Sequence, residues 1–503
     1  MKKHNSYLVI VFFAMAGILS YSCQQNQRES GVPIYTDWTL TDSIIERAVQ
    51  EELNHHPEVP SHLIDVTSVN GVVALTGSID NLLAKERAVE IARAVKGVKG
   101  VVNHLEVKPV AIPDERIHDM IVAALFDDPI TESYEYEIEV KDGRVELKGV
   151  VDSWPEVEHS GHVAKSIRGV KEVRNNVVFK YEAGPRSDLD ILADIQEIMF
   201  NDLYIDNDLV KVEVTGGTVR LTGTVGSASE RNRAVVKSYV PGVDTVIAEN
   251  LQVKMWARDP KLRHKKYVER SDEEIREAIR TAFIIDPAVE GLDLRVMVKN
   301  GHVRLEGVVD HLKAKNAAED DAESVIGVNR VVNRIKVRPE KVYSNKVLHE
   351  KVVTAMDFHP YLSQYDFDIE VSNGQVCIDG EVNTYYEKEI ATEVVSKVGG
   401  VVEIQNNLDV RDQHNYPYTL GLYPGIEPVI TEPDERTDNQ IREAIETELW
   451  WSPFVNEDEV HVMVDAGHAI LTGTVDTPLE KKYAAVNAIE GGAEGVSNKL
   501  RIR

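Results

Sequence analysis

Cationic side chains are scarce in this 503-residue sequence, which holds 56 lysines and arginines against 84 aspartates and glutamates. The formal net charge is −28 at pH 7, and the pI is near 5.0. Nucleic-acid binding depends on Lys and Arg side chains that displace the counterions of phosphates, so this balance argues against it. It argues equally against broad electrostatic attraction to anionic lipid. A local basic patch is still compatible with it.

Long apolar runs are also scarce, and the one near the start of the chain is short. Leu8–Leu19 is about as long as the apolar part of a signal peptide and too short to span a bilayer comfortably. Cys23 follows this run and resembles the processing site of bacterial lipoproteins, where the thiol receives diacylglycerol and becomes the mature N-terminus. We therefore expect a signal peptide over 1–22 and lipidation of Cys23. The alternative is ordinary secretion with cleavage nearby, and either route takes the mature chain out of the cytoplasm.

Cysteine is a third scarce residue type, with two copies in the chain, Cys23 and Cys377. If Cys23 is acylated, Cys377 has no intramolecular partner, so we expect no structural disulfide. Cys377 lies in a strand-like run, and we interpret it as an unreactive packed thiol.

One eight-residue phrase, by contrast, is abundant. It reads NGVVALTG from Asn70, DGRVELKG from Asp142, GGTVRLTG from Gly216, NGHVRLEG from Asn300, NGQVCIDG from Asn373 and AGHAILTG from Ala466. A phrase at regular spacing indicates a repeat architecture. The intervals agree once a basic linker and a Tyr- and Pro-rich linker are set aside, so a unit of roughly 67 residues repeats six times.

Each unit combines two helical patterns with three strand patterns. In the fourth copy, apolar residues from Ile275 to Phe283 recur at helical spacing, and Ser271 with Glu274 has the spacing of a capping box. Alternating apolar residues on both sides of each phrase predict two strands, and the Asn-Gly or Asp-Gly between them predicts a tight hairpin turn. A second helix that ends at glycine and a short strand through Asn-x-Leu follow. The predicted order is helix–strand–strand–helix–strand.

The glycine that ends each phrase needs a separate reason, because glycine weakens the interior of a strand. These structural glycines are Gly77, Gly149, Gly223, Gly307, Gly380 and Gly473. Further along each unit, a small residue lies in the second helix, as Ala88 does in the first unit. We infer that the glycine and the small residue let helix and sheet approach closely.

This order resembles the BON domain of bacterial envelope proteins, on the G-x-V-x-L-x-G-x-V hairpin, the helix-ending Gly-Val and the late Asn-x-Leu. The resemblance covers all six units. It implies an α+β fold of six tandem small two-layer sandwiches, each αββαβ with a three-stranded mixed sheet backed by two helices. It also implies residence in or near the periplasm, no enzymatic activity, and binding to phospholipid or envelope partners. Members of the family include osmotically inducible periplasmic proteins and an outer-membrane lipoprotein with two such domains.

The domain boundaries follow from the repeat. We predict units 1 to 6 over 41–107, 114–180, 187–253, 271–337, 344–410 and 437–503, a basic linker over 254–270 and a Tyr/Pro-rich linker over 411–436. The other connections are short, so we expect neighbouring units to stay in contact in an elongated or curved array.

No residue capable of catalysis recurs with the phrase. The outward strand positions hold Glu146 and Lys148 in unit 2 but Cys377 and Asp379 in unit 5, so what repeats is typical of a fold and not of an active site. We therefore expect no catalytic residue and no cofactor. The alternative is an enzyme confined to one copy.

Histidines are the candidate metal ligands. His55, His56 and His62 lie close together, and His159 and His162 are one helical turn apart. None of them has cysteines or carboxylates at a known ligand spacing. We interpret them as surface histidines and expect no metal.

Two features that differ between copies are candidate contacts with a membrane or a partner. They are the aromatic residues Trp450, Trp451 and Phe454, and the basic residues Lys261, Arg263, Lys265 and Lys266. Aromatic side chains at a helix end suit a membrane interface, and the alternative is packing against the neighbouring linker. The basic run suits lipid headgroups, and the alternatives are a solvated linker or pairing with an acidic neighbouring unit.

We therefore expect a non-enzymatic, lipid-anchored envelope protein in the periplasm, attached to the outer membrane. Its expected partners are phospholipid headgroups or envelope proteins, not nucleic acid, and its expected role is to support envelope integrity or osmotic stress tolerance. Without lipidation the chain would be secreted to the periplasm. A purely structural spacer array is an alternative.

Overall fold

Six units of one architecture follow one another along the chain. The computed structural model describes residues 40–502 apart from 57, 132–133, 181–185, 203, 259–269, 290–291, 412–435 and 453. Each unit begins with a helix, continues through a hairpin and a second helix, and ends with a strand. The predicted order of elements is therefore confirmed.

Units 1 to 3 each contain two helices and three unbroken strands. Unit 1 comprises α1 Asp42–His55, β1 Ile64–Val69, β2 Val72–Ile79, α2 Leu82–Ala94 and β3 Gly100–Val107. Unit 2 comprises α3 Asp114–Asp127, β4 Tyr136–Lys141, β5 Arg144–Val151, α4 Trp154–Lys165 and β6 Glu172–Phe179. Unit 3 comprises α5 Asp188–Asn201, β7 Val210–Thr215, β8 Thr218–Val225, α6 Ala228–Lys237 and β9 Thr245–Val253.

Units 4 to 6 have one or two strands broken into shorter pieces. Unit 4 comprises α7 Asp272–Ile285, β10 Arg295–Lys299, β11 His302–Glu306, β12 Val308–Val309, α8 Leu312–Glu323, β13 Arg330–Asn333 and β14 Lys336–Val337. Unit 5 comprises α9 Asn345–Phe358, β15 Asp368–Ser372, β16 Gln375–Asp379, β17 Glu381–Val382, α10 Tyr385–Ser396, β18 Glu403–Asn406 and β19 Asp409–Val410. Unit 6 comprises α11 Asp438–Trp451, β20 Val460–Asp465, β21 His468–Val475, α12 Pro478–Glu490, β22 Gly495–Asn498 and β23 Arg501–Ile502.

The second strand is central in every sheet. In unit 1, β2 pairs antiparallel with β1 and parallel with β3, so the sheet is mixed. Helices α1 and α2 contact this sheet, and the core between them contains the fully buried Val49, Leu53, Val73 and Leu75. The same topology recurs in the other units, which confirms the α+β class and the three-stranded mixed sheet backed by two helices.

The predicted hairpin turn is confirmed, and a residue of the first helix holds it. Asn70 has φ 54° and Gly71 has φ 77°, as a two-residue turn of this kind requires. Both backbone N–H groups donate to the Asp42 carboxylate at 2.8 Å, and these bonds, with one from the Ser68 hydroxyl, lower the pKa of Asp42. The equivalent residues are Asp114, Asp188, Asp272, Asn345 and Asp438. The sequence patterns did not single out this recurring acid, although it occupies the first position of five of the six first helices.

The explanation given above for the glycine that ends the phrase is wrong. Gly77 has φ 122°, and a Cβ atom there would lie 2.0 Å from the carbonyl oxygen of Leu63, in the segment that leads into β1. The close contact is therefore with backbone beside the sheet and not with Ala88 on the helix. A side chain at Gly77 would both strain the backbone and collide with a group that cannot move aside.

The six units form one compact body, so the predicted elongated array is wrong. The units pair in a nested order, in which unit 1 meets unit 6, unit 2 meets unit 5 and unit 3 meets unit 4. Lys96 of unit 1 bonds Glu457 of unit 6 at 2.9 Å, and Arg168 of unit 2 bonds Asp357 of unit 5 at 3.0 Å. Helix α5 of unit 3 packs against α7 of unit 4.

The second helices join the three pairs to one another. Helix α2 packs against α6, and the Lys165 ammonium of α4 bonds the Glu86 carboxylate of α2 at 2.6 Å. The rings of Trp154 and Tyr239 stack with centroids 3.9 Å apart, which links units 2 and 3. Helix α8 packs against both α10 and α12. Units 1 to 3 therefore form one group of three and units 4 to 6 another.

Candidate functional site at the interfaces between units

Trp450 lies at the interface between unit 6 and unit 1. Its ring is half-buried, packs against the core that includes unit 1, and lies 3.6 Å from the Lys96 ammonium. Trp450 therefore packs against a distant unit, and the neighbouring linker named above as the alternative partner lies outside the described residues. This contact is a cation–π interaction reinforced by the ion pair between Lys96 and Glu457.

Phe454 joins unit 6 to unit 3. Its ring stacks on Tyr483 with centroids 4.6 Å apart and meets the edge of Tyr204 at 4.9 Å. Tyr204 is buried, and its ring also faces the Arg233 guanidinium at 4.9 Å. The structure thus places Trp450 and Phe454 at two different interfaces of unit 6.

The other candidate residues lie outside the described part of the chain. They are Cys23, Lys261, Arg263, Lys265, Lys266 and the side chain of Trp451. Their proposed roles remain predictions.

A pair of carboxyl groups meets between the first helices of units 1 and 6. Glu52 and Glu448 occupy the same position of the repeat, one residue before the buried Leu53 and Leu449, and their side chains line the same cavity. Glu52 is 5% exposed and Glu448 is 2% exposed. Burial, followed by the neighbouring Glu448, raises the pKa of Glu52 well above its ordinary value. The sequence offers one signal for this pair, an acid at a position that holds alanine or isoleucine in the other four units.

A second polar cluster lies next to this pair. The Glu58 carboxylate accepts from Arg87 at 3.1 Å and lies 3.2 Å from the His56 ring, while Glu490 of unit 6 lies 3.3 Å from Arg87. Burial alone would raise the pKa of Glu58, but His56 and Arg87 outweigh it and hold this pKa at about 2. Burial lowers the pKa of His56, but Glu58 and Glu490 outweigh it and the net pKa is raised. Unit 6 thus supplies an anion to a cationic cluster of unit 1.

The interface between units 2 and 5 has the opposite polarity. Asp128 of unit 2 bonds His159 at 2.8 Å and faces Lys397 of unit 5, which bonds Glu393 of its own helix at 2.8 Å. Lys397 occupies the repeat position that Glu490 occupies in unit 6. Burial and the Lys397 ammonium lower the pKa of His359 to about 3, so His359 is neutral.

Cavities lie at these interfaces. One of about 480 Å³ lies between units 1, 3 and 6 and is lined by Glu52, Arg87, Arg233, Glu448 and Tyr483, among others. A second of about 790 Å³ lies among units 1 to 4, and a third of about 180 Å³ lies between units 2 and 5. Charges of both signs line the first two cavities.

Two interpretations of single side chains need correction. His56, which is 6% exposed, faces Glu490 of unit 6, and His159 lines the cavity among units 1 to 4, so neither is a surface histidine. Cys377, interpreted above as a packed thiol, is only half-buried and lies on the outward face of its sheet. Its thiol lies 3.2 Å from Asp379 and 3.2 Å from Asn407. The hydrogen bond with Asp379 raises the pKa of this thiol, which disfavours the reactive thiolate.

Within residues 40–502 less the gaps given above, no group of three or more His, Cys, Asp or Glu side chains is arranged to hold a metal ion. No helix in that part of the chain has both the length and the apolar character that crossing a bilayer requires.

Known proteins resemble the chain in sequence. It is 32% identical over 148 residues to osmotically-inducible protein Y of Escherichia coli, covering 28% of this chain and 74% of that protein. It is 26% identical over 155 residues to the outer membrane lipoprotein DolP of Haemophilus influenzae, covering 30% of this chain and 79% of that protein. The C-terminal domain of CdsD, a structural protein of the type III secretion system of Chlamydia trachomatis, aligns over 44% of this chain and 100% of that chain, with 16% identity. Its TM-score of 0.12 is too low to support an argument.

A family model also matches, and it accounts for most of the chain. The BON domain model matches residues 41–109, 113–181, 187–255, 271–339, 344–412 and 437–503. Together these matches indicate no catalytic family. The chain therefore belongs to the BON domain family and contains six BON domains in tandem.

Proposed function

We propose that the chain is a non-enzymatic scaffolding and binding protein of the cell envelope, held at a membrane by a lipid on Cys23. The observation that carries the proposal is the single body formed by six BON units, whose relatives include an osmotically-inducible protein and an outer membrane lipoprotein. In this proposal the protein lies in the periplasm at the outer membrane and supports envelope integrity under osmotic stress. Its partners are phospholipid headgroups or envelope proteins.

The basic linker is the proposed contact with anionic headgroups. Near its start, the side chain of Trp256 is 51% exposed in the short helical turn Met255–Arg258. An exposed tryptophan beside a run of lysines and arginines suits the interface between headgroups and acyl chains. A local contact of this kind does not require a positive net charge on the whole protein, because salt screens charges farther away than about 8 Å.

Trp450 and Phe454 have a different part in this proposal. Both rings are half-buried between units, so membrane contact through them requires unit 6 to separate from units 1 and 3. In the closed body they hold the scaffold together.

The compact body supports a scaffold over a spacer. A spacer gains reach from each added unit, whereas nested pairing folds unit 6 back onto unit 1. Deletion of unit 2 should therefore expose the unit 5 surface that it covers, with an effect larger than removal of one-sixth of a linear array. A loss of function that depends only on how many units are removed would favour the spacer.

Vesicle flotation tests the proposal. The acylated mature chain is mixed with vesicles of phosphatidylethanolamine and phosphatidylglycerol, or of phosphatidylcholine alone. We expect Cys23→Ser to abolish stable attachment, because one protein surface without acyl chains binds weakly and reversibly. We expect Trp256→Ala and the replacement of Lys261, Arg263, Lys265 and Lys266 by Gln to reduce binding to the anionic vesicles only.

A matched charge control comes from unit 4. Lys299, Arg330, Arg334 and Lys336 are exposed, and their replacement by Gln removes the same charge from another surface. Equal loss of binding in this control would show a net-charge effect and would contradict a contact at the linker. Flotation of the Cys23→Ser chain as complete as that of the acylated chain would contradict the lipid anchor.

A further inference from the structure

The Glu52–Glu448 pair does more than fill an interface. The two side chains occupy the same position of units 1 and 6, are 5% and 2% exposed, and line the same cavity between these units. We propose that this pair is a pH-sensitive latch, which holds the first and last units together while it retains a proton and releases them when that proton is lost. This inference is independent of the proposed function.

The chemistry of the pair supports a shared proton. Two carboxyl groups hydrogen-bond each other only when one of them carries a proton, because an ionised carboxylate has no donor. When both are ionised in a buried interface, their charges repel strongly. Each acid also lies in the last turn of its helix, where the partial negative charge of the helix end disfavours an anion. All three effects favour the protonated pair in the closed state.

The surrounding charges act in the same direction. Glu51 on the same helix and Glu490 on α12 both add negative charge near Glu52. The cations of this interface, His56, Arg87 and Lys96, bond instead to Glu58, Glu490 and Glu457. Ionisation of the pair therefore adds to an existing excess of carboxylates.

The other two interfaces show that acids are unnecessary for pairing. The same repeat position holds Ala124 and Ala355 between units 2 and 5, and Ile198 and Ala282 between units 3 and 4. Those units pair without carboxyls at this position, so the acids of units 1 and 6 have another use.

The sign of the pH dependence follows from proton linkage. The closed state binds a proton more tightly than separated units do, because separated carboxyls ionise near the ordinary pKa of 4.5. Closure is therefore favoured at low pH and weakens as the pH rises above that value. His56 acts in the same direction above its ordinary pKa of 6.5, so the two groups must be separated by mutation.

Distances between paired spin labels test the latch. Arg47 and Glu443 are exposed, occupy the same repeat position and flank the acid pair. They are replaced by labelled cysteines in the mature chain, with Cys23→Ser and Cys377→Ser. Between about pH 5 and about pH 9 we expect a short distance to give way to a longer population. In Glu52→Gln/Glu448→Gln the short distance should persist, whereas His56→Gln should retain most of the pH response.

The interface between units 2 and 5 provides the matched control. Labels at Asp119 and Glu350, which are the equivalent exposed positions, should show no such change with pH. If the Gln variant fails to fold, Glu52→Ala/Glu448→Ala gives this interface the residue pair of units 2 and 5. Equal pH responses with and without the acids, or a constant short distance in the native chain, would overturn the latch.

Discussion

Two interfaces, one between units 1 and 6 and one between units 2 and 5, bring equivalent positions of the repeat together. The side chains at these positions differ in polarity and in charge. Where Glu52 meets Glu448 in the first, Ala124 and Ala355 line a cavity of about 180 Å³ in the second. Where Glu490 meets Arg87 in the first, Lys397 faces Asp128 in the second.

The contrast shows how one repeat can select its partners. The apolar position of the repeat gives all units a surface that can pair, whereas the charges around it differ between pairs. A unit 5 placed against unit 1 would set Lys397 beside His56 and Arg87, and such a like-charge contact in a partly buried interface costs several kcal/mol. The charges therefore exclude wrong pairings more than they strengthen correct ones.

The largest loss of interface stability is expected from reversal of one charge. This change should remove the difference in polarity between the two interfaces. Glu490→Lys places the ammonium found in unit 5 beside Arg87 and His56, and we expect closure of units 1 and 6 to weaken by about 3–5 kcal/mol. Label distances between Arg47 and Glu443 in urea measure this loss. Lys397→Glu should do the same to units 2 and 5 alone. Separation of both pairs by either variant would contradict independent charge selection.

Acid should destabilise unit 1 through Glu58, whose partners His56 and Arg87 belong to the same unit. Its pKa of about 2 lies below the ordinary 4.5, so its stabilisation is present above pH 4.5 and is lost as the pH falls towards 2. The difference corresponds to about 3 kcal/mol. The free energy of unfolding of unit 1 should thus fall on the acid side, whereas the latch weakens the contact between units 1 and 6 on the alkaline side. In Glu58→Gln, the free energy of unfolding should no longer fall as the pH is lowered from 4.5 towards 2. If the fall remains unchanged in this variant, other carboxyl groups cause it.

Transfer of the acid pair should make the second interface sensitive to pH. In Ala124→Glu/Ala355→Glu, the cavity between units 2 and 5 receives the added atoms. We expect pairing at neutral pH to weaken by about 2 kcal/mol and to recover at low pH. Labels at Asp119 and Glu350 report the change. Ala124→Gln/Ala355→Gln is the control for size, and the same loss at every pH in both variants would exclude titration.

The smallest effects concern the rim of each interface. Trp450→Ala removes the ring beneath Lys96 and should cost about 1–2 kcal/mol. Asp357→Ala at the same repeat position in unit 5 removes a half-exposed ion pair with Arg168 and should cost less than about 1 kcal/mol. Urea-induced separation of the corresponding labels compares the two. A larger free-energy loss for Asp357→Ala than for Trp450→Ala would contradict this prediction.

Much of the single unit was predictable from sequence. The capping box at Ser271 and Glu274 is present, and Asn70-Gly71 forms the expected turn, because both depend on residues close together in the chain. The function of Gly77 was predicted wrongly, since its closest contact is the Leu63 carbonyl across the hairpin. Asp42 was missed because its carboxylate acts on a turn 28 and 29 residues away.

The arrangement of units was not predictable in the same way. Short linkers suggested a linear array, but Trp450 packs against unit 1 and Phe454 against unit 3. Periodicity identifies which residues face the core of their own unit. It does not show which surface residues, such as Glu52 or His56, become buried against a distant unit.

By itself, the sequence determined the BON unit, its six copies and the αββαβ order, because apolar period, turn residues and caps act over a few residues. Tertiary structure alone decided that unit 1 meets unit 6 and that Glu52 meets Glu448. That choice depends on the fit of whole surfaces and on charges brought together from opposite ends of the chain. Such groups are ordinary exposed side chains until folding removes the water between them.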